Sequence, residues 1–169
     1  MHNYIDEIIS NFNNYHKDGF LIRSFDKDLN ISDSEKVIED YGDIIPYLYY
    51  FDGKDFSNQI LNNILNSNYV KDGVYIKNGL IKIFYNHDWL MTFFEMYKLT
   101  GELKYLENLE LGIKKLLERN ISNGFLIDEC NQSYRSTSLK STLKTSSPYN
   151  LGLVEILSEL GLILNKKEY

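Results

Sequence analysis

A six-residue phrase returns three times along this chain: Lys17-Asp18-Gly19-Phe20-Leu21-Ile22, then Lys71-Asp72-Gly73-Val74-Tyr75-Ile76, then Ser122-Asn123-Gly124-Phe125-Leu126-Ile127. A period of about 50 residues is the mark of a repeat architecture. Each phrase is an Asp/Asn-Gly turn followed by a β-prone pair, and each lies between amphipathic runs. The repeating unit is therefore helix, turn with a short extended segment, helix.

The helical runs follow the same alternation. Tyr4, Ile5, Ile8, Ile9 and Phe12 recur at helical spacing, which predicts a first amphipathic helix from His2 to about Tyr15. Ser32-Asp33-Ser34-Glu35 has the form of a capping box, and a dense apolar run follows from about Asp43 to Phe51, with Pro46 placed in its first turn. Phe56, Ile60, Leu61, Ile64 and Leu65 form one stripe opposite Asn58, Asn62, Asn63 and Asn66, as expected of a surface helix. In the second unit Asp88 to Tyr97 is dense and Leu103 to Leu117 is amphipathic, with Gly101 placed to end the dense helix. The third unit carries a Ser/Thr-rich loop from Gln132 to Ser147 and a last dense helix from about Tyr149 to Leu164. Helices apolar on every side are expected to lie between layers. The fold class expected is all-α: three tandem helical hairpins with short β-like turns, in one domain with units of approximately 1–52, 53–101 and 102–169.

Composition narrows the function. A net charge of −6 and a pI near 5.1 argue against a nucleic-acid partner, because neutralising phosphates needs a basic face. No apolar run approaches the roughly 18–20 residues of a membrane span, so no membrane partner is expected. No signal peptide is read at the N-terminus, and a single cysteine, Cys130, permits no intrachain disulfide; both fit a cytoplasmic protein. Neither a Gly-rich phosphate loop nor a metal-ligand spacing occurs, so no cofactor or metal is expected.

The stretch Asp88-Trp89-Leu90 through Tyr97-Lys98-Leu99-Thr100-Gly101-Glu102-Leu103-Lys104-Tyr105-Leu106 resembles the helix, Tyr-x-x-Thr-Gly-Asp/Glu-x-x-Tyr-Leu turn and helix of (α/α) toroid proteins. That superfamily includes six-hairpin glycosidases, unsaturated uronyl hydrolases and N-acylglucosamine 2-epimerase-like proteins. Tyr41-Gly42-Asp43 through Asp52-Gly53-Lys54-Asp55-Phe56 resembles a shorter copy of the same unit. The resemblance implies half of an (α/α)6 toroid, since a complete ring takes six hairpins and three are read here. It implies a carbohydrate ligand, and a homodimer or larger assembly that completes the ring. The alternative is a non-catalytic helical-repeat module that binds protein.

Asp43 and Asp88 are the sharpest candidates for chemistry, each expected at the start of an inner helix. Neighbouring helices pack roughly 8–10 Å apart, close to the roughly 6.5–9.5 Å between the carboxylates of inverting glycosidases. The resemblance lends this pair the roles of acid and base; the competing role is as helix N-caps. His87 is a candidate base or sugar donor against a surface role, and Trp89, Tyr41 and Tyr47 are candidate stacking platforms against a place in the core. Tyr134 and Arg135 lie in the positively charged loop after Gln132, where they would orient a carboxylated or phosphorylated ligand.

Overall fold

A computed structural model describes residues 16–17, 20–28, 30–36, 41–51, 53–119, 121–122, 125–133, 135, 137 and 147–167, with Ser10. The expected first helix, from His2 to Tyr15, lies outside the described residues apart from Ser10. The rest is mostly helical with a few short strands.

The residues on either side of the Asp/Asn-Gly pair of each phrase pair antiparallel in one register. In β1 (His16–Lys17) and β2 (Phe20–Phe25), Lys17 pairs with Phe20. In β4 (Val70–Lys71) and β5 (Val74–Tyr75), Lys71 pairs with Val74. In β7 (Ile121–Ser122) and β8 (Phe125–Leu126), Ser122 pairs with Phe125. The middle copy shows why the phrase needs its residues: Asp72 and Gly73 have φ of 53° and 78°, the left-handed pair of a type I′ turn.

Five helices are described. The hairpin of α1 (Tyr41–Tyr50) and α2 (Lys54–Leu65) is followed by that of α3 (Ile83–Thr100) and α4 (Leu103–Arg119), and α5 (Ser147–Leu164) comes last. Within the hairpins α1 packs on α2 and α3 on α4, while α3 also packs on α1 and on α5. Helices α1 and α5 thus both pack on α3, and Trp89, Leu90, Phe93, Phe94 and Met96 of α3 are all buried. The outer helix α4 buries Tyr105, Leu106, Leu109, Ile113 and Leu116, one stripe at helical spacing. Gly101 ends α3 as its spacing predicts, with φ 71° and its N–H donated to the Tyr97 carbonyl at 2.7 Å. The neighbouring Thr100 hydroxyl donates to the Met96 carbonyl and accepts the Glu102 N–H, closing the turn into α4.

Four sequence expectations are corrected. Ser32-Asp33-Ser34-Glu35 caps no helix: Ile31–Lys36 is strand β3, paired antiparallel with β2. The turn between these strands is set by Asp26, whose Oδ1 accepts the N–H groups of Asp28 and Asn30. Pro46 is the sixth residue of α1 rather than part of its first turn. The inner helices are not buried all round: Tyr47, Tyr50, Leu151, Val154 and Leu162 are exposed while the opposite side of each helix is in the core. Finally, α3 begins at Ile83, five residues before Asp88.

That early start has a tertiary cause. Strand β6 (Leu80–Lys82) pairs antiparallel with β9 (Glu129–Asn131), and the chain passes from β6 directly into α3. Lys82 is extended, and the first N–H of the helix, from Ile83, is donated to the Asp128 carbonyl at 3.1 Å. The buried Asn86 secures the junction: its amide donates to the Lys82 and Tyr75 carbonyls, and its Oδ1 accepts the Tyr75 N–H. A side-chain carboxamide thereby completes strand-like pairing for β5 within a helix.

Candidate functional site

Along α3, Asp88, Met91, Glu95 and Leu99 fall on one stripe, at spacings of three and four residues. Across from Met91, Glu95 and Leu99 lies α1, and the two helices bound a groove of ≈ 480 Å³ lined also by Pro46, Tyr47, Tyr50 and Phe51. The helices come close because Gly42 has no side chain: a Cβ there would lie 2.3 Å from the Asp88 carbonyl oxygen. The contact joins position 42, next to Asp43 in the chain, to Asp88. The Asp43 and Tyr41 side chains lie outside the described residues.

Asp88 is half-buried, the sixth residue of its helix, and caps nothing. Its Oδ1 lies 2.8 Å from His87 Nδ1, while Oδ2 has no protein partner among the described residues. His87 is itself wedged against α5, where a Cβ on Gly152 would lie 2.3 Å from His87 Nε2. So α3 supplies both members of the pair, and α5 presses on the imidazole from the other side. Such a pair can hold a carboxylate in one orientation with one oxygen available to water.

Trp89 is not a stacking platform. It is 1% exposed, packs edge-on to Phe93 with ring centres 4.7 Å apart, and donates its indole N–H to the Gly73 carbonyl at 3.2 Å. Tyr47 is the reverse case, 64% exposed on the groove. Arg135 is exposed at the end of the turn after β9, where its backbone carbonyl accepts the Asn131 N–H. Tyr134, and most of the loop between Gln132 and Ser147, lie outside the described residues.

Glu95 is the site residue that sequence reasoning missed. It stands two turns from Asp88, an axial rise of about 10.5 Å, and pairs with Lys98 at 2.9 Å. The hydrogen bond from Lys98 to Glu95 holds the ammonium above its ordinary value, and Glu159 and Glu155 on α5 add to the effect. The signal was the seven-residue interval from Asp88 across a run, Trp89 to Phe94, that is apolar but for Thr92. Among the described residues, no group of three or more His, Cys, Asp or Glu is placed to hold a metal ion, and no helix is long and apolar enough to cross a membrane.

No protein-family model and no curated protein matches the sequence. Among solved structures, a novel alpha-amylase from Clostridium perfringens is similar over 80% of this chain, with a TM-score of 0.60 and 12% identity. The match spans 43% of that protein, less than half its length. At this identity the likeness is one of fold alone.

Proposed function

We propose that this chain is a carbohydrate-active protein of the (α/α) toroid type, acting as an inverting glycoside hydrolase with Asp88 and Asp43 as its carboxylate pair. The observation that carries the reading is the half-buried Asp88 carboxylate, held by His87 and with its second oxygen unpartnered among the described residues, beside an aromatic groove in a fold shared with part of an amylase. One carboxylic acid gives its proton to the glycosidic oxygen as the bond from the anomeric carbon breaks. The other carboxylate takes a proton from the water whose oxygen bonds to that carbon. Asp43 is the favoured second member because the Gly42 backbone contact keeps its position beside Asp88. Tyr47 is the sugar-facing ring of the groove.

The exposed apolar side chains of the inner helices support completion of the ring by a second copy of the chain, which would cover them. A cytoplasmic location is proposed with this reading, on the single thiol of Cys130. The same exposed face favours the second reading, a helical-repeat module that binds protein without catalysis.

Release of reducing ends from neutral and uronate-containing glycans, measured for the wild type, Asp88→Asn, Asp43→Asn and Glu95→Gln, tests the proposal. Loss of turnover in the two Asp variants with unchanged melting, and retention in Glu95→Gln, is expected. Loss in Asp88→Asn and Glu95→Gln alone would reassign the pair. No turnover by the wild type, as monomer or as dimer, would overturn the enzyme reading and leave the interaction module.

A further inference from the structure

A second cleft, of ≈ 470 Å³, lies on the hairpin rim, between the end of α2, the turn before β6 and the turn after β9. Its polar lining is Asn66, Ser67, Asn68, Tyr69, Asn78 and Gln132, and among the described residues no charged side chain contributes. The volume is that of a small-molecule site, roughly 300–1,000 Å³. The cleft is built by the fold rather than by loop chance. Leu80 pairs with Asn131 in the β6–β9 ladder, which brings the next residues outward, Gly79 and Gln132, opposite one another. The Gln132 amide nitrogen accordingly lies 3.8 Å from where a Cβ on Gly79 would be. Asn78 and Gly79 form a tight turn with φ of 53° and 77°, locked by reciprocal hydrogen bonds between Lys77 and Leu80 at 2.9 Å.

The carboxamides divide by whether they are used. Asn66 donates to the Asn62 carbonyl at 2.9 Å, and Ser67 to the Ile64 carbonyl. Asn68, Asn78 and Gln132 make no side-chain hydrogen bond to the protein among the described residues. Each therefore offers two N–H donors and one carbonyl acceptor to the cleft. A set of paired donors and acceptors with no formal charge matches a ligand that carries hydroxyls, each both donor and acceptor. An ionic ligand would find no counter-charge among the described lining residues.

We propose that this rim cleft binds a neutral saccharide through the carboxamides of Asn68, Asn78 and Gln132. It is separate from the groove between α1 and α3 and does not depend on the hydrolase reading. Substrate selection follows: the rim favours uncharged sugars over uronates, against the carboxylated ligand expected from the loop of Arg135.

The test is a titration of the 15N-labelled full chain with maltotriose, cellotriose and N,N′-diacetylchitobiose, and with galacturonate as the charged control, following the backbone and side-chain amide resonances. Saturable shifts of the Asn68, Asn78 and Gln132 amides with a neutral sugar, and none with galacturonate, are expected. The double variant Asn78→Gly/Gln132→Ala, in which glycine keeps the positive φ of position 78 and position 132 is exposed, should weaken that binding at least about tenfold with unchanged melting. Shifts confined to Met91 and Glu95 would overturn the rim site while favouring the groove, and no shift with any neutral sugar up to millimolar concentration would overturn it outright. Rim shifts without hydrolysis would uphold the site and count against the enzyme reading alone.

Discussion

The carbonyl oxygen of Asp88 occupies the space in which a side chain at position 42 would begin, so that Gly42 and Asp88 meet backbone to backbone. This contact sets the spacing of α1 and α3, and with it the groove they enclose. Gly42→Ala puts a methyl group 2.3 Å from that oxygen, where no flexible side chain can give way. The variant should lose about 1–3 kcal/mol in urea unfolding. An unchanged midpoint would mean that the helices do not approach as described.

Trp89 joins the second turn phrase to the inner helix through its bond to the Gly73 carbonyl, and Gly73 in turn sits against Gly112 of α4. Trp89→Phe removes the donor and leaves a gap, with an expected loss of about 2–4 kcal/mol. Because this is the chain's one tryptophan, intrinsic fluorescence reports on it alone. Emission should be that of a buried indole, resistant to iodide and unmoved by sugars; quenching by a sugar would restore the stacking role.

Cys130 lies in strand β9 and is fully buried, and burial, with the charge of Glu129 beside it, pushes the thiol up to about 11. The native protein should therefore not react with a disulfide reagent at pH 8, and should react once unfolded. The raised value favours the protonated fold. Its contribution to stability is intact below the ordinary value of 9.0 and is lost as pH climbs from there through about 11. Cys130→Ser should show a flatter decline of stability across that alkaline range.

Asp26 behaves in the opposite sense. The Asn30 N–H and then the Asn30 side-chain amide hold its carboxyl below the ordinary 3.8. Its ionised form supports the β2–β3 turn above 3.8, and that support fades as pH falls through the lowered native value. The Asn30 amide resonance should shift in step with Asp26 titration. In Asp26→Ala the acid-dependent shift should vanish and the resonance should stay at its low-pH position.

The parts of this fold legible in the sequence are those encoded within a few residues. Asp72-Gly73 specifies a turn because two adjacent residues must take positive φ, and Gly101 specifies a helix end for the same reason. The stripe of α4 is local periodicity and reads directly. What was not legible depends on segments far apart in the chain. The start of α3 is fixed by the Asp128 carbonyl, and Ser32-Asp33-Ser34-Glu35 becomes a strand because β2 is there to pair with it. A capping motif without a helix behind it has no capping role. At the site, Asp88 was found for its presumed place at a helix start, yet its standing comes from His87 and from the stripe it shares with Glu95. Trp89 misled because an aromatic on an inner helix reads the same whether it faces a lumen or a turn.

The ladder between β6 and β9 joins Ile81 to Cys130, across the whole of the second helical hairpin. During synthesis, β6 would leave the ribosome well before its partner strand exists. Until residue 131 emerges, the segment that launches α3 has an open edge and the central helix lacks its anchoring carbonyl at Asp128. The second helical hairpin is thus complete in sequence before the strand that anchors it has been made.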